Sequence, residues 1–182
     1  QKAPIKSAVK INAENKIHLK MNRVFLWILV IAASGFLSCD SKRVYDEYHS
    51  ISTTWNKDSI VTFKLQNIVP DKKYDLFINV RNNNEFNFSN LFLIAEIQFP
   101  QGKVITDTLE YEMAAPSGEW LGTGFGSVKE NKLWYKEQVS FEEPGQYVVF
   151  IKHAMRKNNS EQGIENLEGI TEIGFRIEEA PK

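Results

Sequence analysis

Residues 74–81 read YDLFINVR, so that apolar side chains alternate with mostly polar ones. Successive side chains of a β-strand point to opposite faces of its sheet, and this alternation therefore predicts a half-buried strand. Residues 61–65 and 171–178 repeat the pattern. Residues 91–99 are nearly continuously apolar instead, which predicts a central strand covered on both faces.

Turn sequences separate the predicted strands. PQGK at 100–103 and EPG at 143–145 carry the Pro and Gly residues typical of tight turns. Further short strands are predicted at 104–110, 132–135, 139–141 and 147–153. After Cys39 no stretch keeps the apolar period of a helix over three turns. Roughly eight strands joined by turns predict an all-β fold, a single antiparallel β-sandwich over residues 59–182, with jelly-roll and immunoglobulin-like topologies both open.

An uncharged apolar run, residues 24–37, lies between Arg23 and the single cysteine of the chain, Cys39. It is shorter than the about 20 residues of a membrane-spanning helix and fits the roughly 7–15 residues of a signal-peptide core. Residues 21–38 are therefore predicted to be a signal peptide. A cysteine placed directly after such a segment resembles the lipidated cysteine of bacterial lipoproteins. A buried free thiol and an uncleaved membrane anchor are the alternatives.

Processing at Cys39 would divide the chain into unlike parts. Residues 1–20, which precede Met21, are interpreted as a mis-called upstream extension, and residues 39–58 as a polar, lipid-anchored tether. Of the 22 basic and 23 acidic residues, six basic and one acidic precede Cys39, which gives the predicted mature chain a net charge of −6. An exported, moderately acidic domain is a poor candidate for nucleic-acid binding. A lone cysteine also excludes a disulfide framework within the chain.

The glycine-rich stretch GEWLGTGFG at 118–126 looks at first like a phosphate-binding loop. Such loops open a helix after a strand, and the nucleotide-binding type closes with a Lys-Ser/Thr pair; the sequence offers no helix and no such pair here. We predict a glycine-rich turn or bulge in which Trp120 plugs the core. A surface aromatic residue that contacts a partner or a glycan is the alternative.

Residues suited to catalysis or metal binding form no recognisable pattern. His153 shares the apolar face of the 147–153 segment and is predicted to be a hydrogen-bonded structural residue rather than a catalytic one. The sequence contains no nucleophile elbow, no calcium-loop motif and no set of histidines for a zinc site. We therefore predict no catalytic residue, no metal site and no cofactor, and we do not expect an enzyme.

Two short motifs concern modification. Asp58-Ser59-Ile60 and Asp107-Thr108-Leu109 are similar to the O-glycosylation acceptor of exported Bacteroidetes proteins. Both also fit plain strand-edge sequence, so glycosylation and an unmodified strand edge are both open.

Several sequence blocks occur together in a fixed order. They are VRNN at 80–83, NLFL at 90–93, DTLEY at 107–111, GEWLGTG at 118–124, HAMR at 153–156 and LEGI at 167–170. With the signal peptide before them, these blocks resemble the GldH family of gliding-motility lipoproteins from Bacteroidetes, from Met21 to the C-terminus. The resemblance implies a non-enzymatic lipoprotein anchored through Cys39, expected at the outer membrane. It also implies partners among other Gld proteins and the type IX secretion and motility apparatus.

The leading hypothesis is a lipid-anchored sandwich that binds partner proteins of the gliding machinery. Exposed sheet edges, or an aromatic patch of Trp120, Trp134 and Tyr135, are predicted to make the contact. The alternative function is a carbohydrate-binding module, which would need a coplanar row of exposed aromatic rings. A hydrolase with carboxylates converging in a cleft is a third interpretation.

Overall fold

The computed structural model of the protein describes Trp27 and residues 42–66, 68–157 and 162–181. The predicted extension 1–20, the signal peptide apart from Trp27, and Cys39 lie outside these residues. The strands of the described part are β1 (Arg43–Ser50), β2 (Thr54–Asn56), β3 (Val61–Lys64), β4 (Tyr74–Asn82), β5 (Asn90–Gln98), β6 (Val104–Glu112), β7 (Lys129–Val139), β8 (Val148–His153), β9 (Asn166–Glu168) and β10 (Ile170–Glu179). No helix within these ranges is long and apolar enough to cross a membrane.

The strands pair antiparallel, and their order follows a single rule. β1 pairs with β10, β2 with β9, β3 with β8, β4 with β7 and β5 with β6, so the strand numbers of each pair add up to eleven. This is the pattern of one long hairpin folded back on itself. Two further pairs, β10 with β4 and β8 with β5, assemble a front sheet, β1-β10-β4-β7, and a back sheet, β3-β8-β5-β6. The predicted all-β sandwich is confirmed, and of the two predicted topologies the strand order is that of a jelly roll.

The inner faces of the two sheets share one hydrophobic core. Phe63 of β3 packs against Phe175 of β10 with the ring centroids 5.8 Å apart, and Tyr45 and Tyr135 approach Phe175 edge-on. Full burial of one such side chain is worth about 1.5–3 kcal/mol. Because a shift of one residue would turn every inner side chain to solvent, this core also fixes which residues of each strand face outward.

The burial patterns of β4 and β5 are the reverse of those that the sequence predicts. β4 is buried on both faces, because side chains of neighbouring strands cover its outer residues; Phe77, for example, lies beneath Trp134 of β7. β5 alternates between buried and more exposed residues, since only its inner face meets the core. The predictions of a half-buried strand at 74–81 and a doubly covered strand at 91–99 were wrong for this reason.

Most of the predicted tether belongs to the sandwich. β1 forms an edge of the front sheet, and its Tyr45 turns into the core beside Phe175. Trp55 of β2 is buried as well, and its indole Nε1 donates a hydrogen bond to the Ser59 carbonyl at 3.0 Å. The assignment of residues 43–58 to a tether was therefore wrong, because their aromatic side chains are part of the core. Only residues 40–42 separate Cys39 from the first strand.

Candidate interaction surface

The outer face of the front sheet carries two clusters of charged side chains, one around Arg81 and one around Arg176. Alternation along its four strands turns every second residue away from the core, and the strand register sets these residues side by side. We call this surface the front face. Its residues are Asp46, Tyr48, Asp75, Phe77, Asn79, Arg81, Glu130, Lys132, Trp134, Glu172, Arg176 and Glu178.

Arg81 lies at the centre of the first charge cluster of the front face. Its guanidinium pairs with the carboxylate of Glu130, 3.0 Å from Nε, and with that of Glu172. The same guanidinium lies 4.6 Å from the centre of the Tyr48 ring, whose hydroxyl donates a hydrogen bond to Glu130 at 2.8 Å. Burial and the neighbouring Glu130 carboxylate raise the pKa of Tyr48, so its hydroxyl stays protonated and remains a donor.

Arg176 forms the second charge cluster. Its Nη1 lies 3.0 Å from Asp46, its Nε lies 2.6 Å from Glu178, and the Lys132 ammonium lies 2.6 Å from Glu178. Burial alone would raise the pKa of Glu178, but hydrogen bonds from Lys132 and Arg176 outweigh it and hold this pKa below its usual value. Partly buried pairs contribute little net stability, because each charge gives up hydration. Their effect here is to hold the charged groups in one arrangement.

Trp134 presents the most exposed aromatic ring of the front face, with 52% of the residue accessible. Its indole packs against the buried Phe77 at a centroid distance of 4.4 Å, with the ring planes tilted by 50°, and the Lys132 ammonium lies 3.9 Å from the centre of the Phe77 ring. The Trp134 carbonyl accepts a hydrogen bond from the Tyr111 hydroxyl of β6 at 2.7 Å. An exposed Trp ring packed against a buried aromatic side chain is typical of a binding hot spot.

The three aromatic residues predicted to form one patch lie apart. Trp134 faces outward, whereas Tyr135 turns inward and its hydroxyl donates a hydrogen bond to Asp107 at 2.8 Å. Trp120 is half-buried at the edge of the core, 6.0 Å from the Phe86 ring. The patch is not formed, because adjacent residues of a strand lie on opposite faces. These three residues therefore do not supply the coplanar row that the carbohydrate-binding alternative requires.

The two acceptor motifs present their hydroxyl residues to solvent. Ser59 and Thr108 are both exposed. Asp107 of the second motif is held by Tyr135 and by Lys136, whose ammonium lies 2.8 Å away. Burial would raise the pKa of Asp107, but the bonds from Lys136 and Tyr135 lower it overall. Glycosylation at either motif stays a prediction.

His153 points into the core, as predicted, and is 3% exposed. Its Nε2 lies 2.9 Å from the Trp55 carbonyl, and the backbone N–H of Met155 points to Nδ1 at 3.4 Å. The carbonyl needs a donor and the N–H needs an acceptor, so these partners fit a neutral imidazole protonated at Nε2. Burial lowers the pKa of His153, against the opposing effect of the bond to Trp55. The residue therefore links β8 to β2 and has no accessible edge for catalysis.

We expect the stability of the fold to fall as the pH drops below about 6.5 because of His153. The pKa of this residue is lowered in the folded state, so the unfolded chain, with a His pKa near 6.5, binds the proton more tightly. The contribution is complete above pH 6.5 and is lost below it. Urea unfolding at pH 8 and pH 5 measures the difference, which should shrink in His153→Gln and persist in His49→Gln. An equal pH dependence in His153→Gln and the unsubstituted protein would contradict this role.

Metal and small-molecule sites find little support in the described residues. Within those ranges no group of three or more His, Cys, Asp or Glu side chains could hold a metal ion. A groove of about 200 Å³ on the outer face of the back sheet is lined by Ile60, Ile94, Glu96, Phe150 and Lys152. Pockets for small molecules usually measure about 300–1,000 Å³ and are mostly apolar. A larger cavity of about 390 Å³ falls within that range, but its lining, Lys157 and residues 162–166, is mainly polar.

Sequence reasoning missed the charge clusters around Arg81 and Arg176. Each cluster is assembled from single outward residues on different strands, far apart in the chain. The signal that could have found them is the polar half of each alternating strand, read together with the pairing of β1, β10, β4 and β7. That pairing is a long-range property, and the pattern of one strand does not contain it.

Comparison with known proteins identifies similar chains. The family described as GldH lipoprotein matches residues 43–177. A "gliding motility lipoprotein GldH homolog" from Christiangramia forsetii is 64% identical over 157 residues, which cover 86% of this chain and 95% of the relative. The "gliding motility lipoprotein GldH" of Flavobacterium johnsoniae is 53% identical over 152 residues, which cover 84% of this chain and 94% of the relative.

Solved structures are only distantly similar. A chain in the structure of infectious bursal disease virus Gt strain is 16% identical, with a TM-score of 0.30, and the match covers 77% of this chain and 33% of that chain. A likeness at this level carries no argument about the present protein.

Proposed function

This chain belongs to the GldH lipoprotein family, and on that premise we propose that it is a non-enzymatic component of the gliding machinery that acts by binding partner proteins. Family membership makes it a lipid-anchored protein of the cell envelope associated with gliding motility. The proposed partners are other Gld proteins and components of the type IX secretion and motility apparatus. The outer membrane is the proposed location.

The proposed site of lipid attachment is Cys39. It is the only cysteine of the chain, and it directly follows the predicted signal peptide. One acyl chain gives only reversible membrane binding, whereas two or more hold a protein stably. A lipid-held domain also meets its partners at a raised effective concentration, so a modest contact surface suffices.

The proposed contact surface is the front face, and Trp134 is the observation that supports it. Its ring is exposed yet packed on Phe77, so little conformational entropy would be lost when a partner covers it. The Arg81 and Arg176 clusters lie on the same face and supply charges that are already ordered. Binding energy in protein interfaces is concentrated in a few Trp, Tyr and Arg residues of this kind.

The front face is a better candidate for the partner contact than the edge strand β7. An unpaired edge strand binds partners through its backbone donors and acceptors. On β7, however, the Trp134 carbonyl already accepts the Tyr111 hydroxyl of β6. Side chains of β6 and β7 join again where Lys136 and Tyr135 meet Asp107. These contacts use one backbone carbonyl of β7 and tie its side chains to β6, so part of this edge is already engaged, whereas the front face is open.

We expect Trp134→Ala to stop colony spreading while the protein remains in the envelope. Truncation of a hot-spot aromatic typically weakens binding by about 2 kcal/mol or more, about thirtyfold. The measurement is spreading of cells whose only copy carries the change, with the envelope level checked by immunoblot. Val104→Ala is the matched control, because Val104 on β6 is 51% exposed and lies outside the front face. Normal spreading of the Trp134→Ala cells would contradict the proposal.

A further inference from the structure

A second exposed surface lies on the outer face of the back sheet. The four residues at its centre come from the two middle strands and are Phe150 and Lys152 of β8 and Ile94 and Glu96 of β5. We call them the back quartet. The two apolar members are half-buried, and Ile60, which lines the same groove, is 54% exposed. Apolar side chains grouped among charges, unlike single exposed ones, typically mark a contact with another molecule.

The strand register arranges the back quartet in a square. In the pairing of β5 with β8, Glu96 lies opposite Phe150 and Ile94 lies opposite Lys152. The two charged residues therefore occupy one diagonal of the square, and the two apolar residues occupy the other. Diagonal neighbours of an antiparallel pair lie about 7–8 Å apart. The groove of about 200 Å³ is lined by all four side chains, so it lies within this square.

The two charges of the back quartet have no partner within the domain. Neither Glu96 nor Lys152 forms a side-chain hydrogen bond or an ion pair with another residue in the part of the chain that the structure describes. On the front face, by contrast, Arg81, Lys132 and Arg176 each contact a carboxylate. The charged diagonal is therefore available to groups from outside the chain. It is complementary to a surface on which a carboxylate faces Lys152 and a cation faces Glu96.

A second copy of the back quartet presents such a surface. A two-fold axis that lies between two back sheets, along the diagonal from Phe150 to Ile94, sets each apolar residue against its own counterpart. The same rotation exchanges the ends of the charged diagonal, so Glu96 of each copy faces Lys152 of the other. Two-fold dimers are the commonest protein oligomers, and their interfaces are self-complementary in this way.

The resulting packing of the two back sheets has an ordinary geometry. Residues on one face of a strand repeat every roughly 6.8 Å and neighbouring strands lie about 4.8 Å apart, so a diagonal axis runs at roughly 45° to the strands. The strands of the two copies then cross at roughly 90°, which is one of the two usual angles for sheets packed face to face. Only the back sheets are covered, so the front face of each copy stays open.

We infer that the protein forms a two-fold dimer through the back quartet. Phe150 and Ile94 lie along the axis, and reciprocal ion pairs between Glu96 and Lys152 lie on either side of it. The self-complementary charge diagonal argues for a second copy of this chain as the occupant. The dimer presents two front faces on opposite sides of four stacked sheets. A partner with two binding sites is then held more tightly than by one copy.

The first test places a photo-reactive phenylalanine analogue at position 150 of the full-length lipoprotein, in living cells that produce two differently tagged copies. We expect an adduct that joins the two tags. The control is the analogue at position 125, because Phe125 is fully exposed and lies in the loop before β7, outside the back sheet. An equal yield at 125, or adducts at 150 only with a different protein or with lipid, would overturn the inference, as would no adduct at 150.

The second test reverses the two charges separately. In a symmetric dimer Glu96→Lys sets like charges against each other twice, and so does Lys152→Glu. We expect the yield of the adduct to fall about tenfold or more when both tagged copies carry the same change. When one copy carries Glu96→Lys and the other Lys152→Glu, unlike charges face each other again, and the adduct is expected to return. An unchanged yield in the first case, or no return in the second, would overturn the inference.

The dimer contact and the front face can be tested separately. The adduct at position 150 is expected to survive Trp134→Ala, because Trp134 lies on the other sheet. Loss of this adduct in Trp134→Ala cells that retain a normal envelope level of the protein would contradict a contact made by the back quartet alone. Val104, the control of the spreading test, lies opposite Gln98 at the start of β6 and is not a member of the back quartet.

Discussion

Replacing Gly169 by alanine is expected to lower the free energy of unfolding by about 4 kcal/mol, which is a large part of the stability of an ordinary domain. Gly169 lies between β9 and β10 with a φ of 81°. A Cβ there would lie 1.9 Å from the backbone nitrogen of Phe86 and 2.4 Å from its Cα. Backbone cannot rotate away as a flexible side chain would, so the loop that carries the buried Phe86 must move.

Gly118→Ala separates the packing effect at Gly169 from backbone strain. Gly118 has a similar φ of 85°, but no atom lies within 4 Å of the position its Cβ would take. This control is expected to cost only the about 1–2 kcal/mol of a non-glycine residue in the left-handed region. Urea unfolding of the purified variants gives both values. Equal losses in the two variants would show that the contact between Gly169 and Phe86 adds nothing.

Replacing Cys39 by serine is expected to reduce incorporation of labelled fatty acid to background. Serine lacks the thiol that forms the thioether, and the chain contains no second cysteine to replace it. Each buried methylene of an acyl chain contributes about 0.8 kcal/mol to membrane binding, so loss of the lipid removes the proposed anchor altogether. Metabolic labelling followed by mass spectrometry of the N-terminal peptide measures the change.

Ser38→Ala is the control for Cys39→Ser. It alters the neighbouring residue, keeps that residue small and leaves the thiol in place, so labelling is expected to persist. A wild-type protein without lipid on Cys39, or a Cys39→Ser protein that still incorporates fatty acid, would contradict the proposed attachment site.

Local patterns were sufficient to predict the class of fold. The alternation in 171–178 and the run at 147–153 correspond to β10 and β8, because side-chain alternation is a direct consequence of strand geometry. The pattern did not show that 132–135 and Val139 belong to one strand, β7, which ends before the rest of the predicted 139–141 strand and whose pairing with β4 shifts register near Leu76. A register shift hides alternation over the residues where it occurs.

The elements that the sequence missed depend on long-range contacts. In β1, the inner face contains the polar residues Glu47 and His49 beside Tyr45, so it does not read as an apolar face. His49 is nevertheless packed edge-on against Phe63, with ring centroids 5.0 Å apart. An edge strand with polar inner residues resembles a polar tether until its partner is known. For this reason the tether was predicted too long.

Part of the candidate contact surface could be predicted from the sequence. Alternation alone places Trp134 and Tyr135 on opposite faces of β7, so the predicted single patch conflicted with the strand prediction itself. The support of Trp134 by Phe77 required the β4–β7 register, which no local pattern encodes. Trp120, which was predicted to plug the core, packs against it but stays half-buried.

Site-specific photo-crosslinking in living cells tests most directly whether the front face binds a motility partner. The photo-reactive residue is placed at position 134 and, as the control, at the equally exposed Val104. We expect an adduct at 134 with a Gld protein or a component of the type IX secretion and motility apparatus, and none at 104. The same adducts at both positions, or no protein adduct at 134, would contradict it.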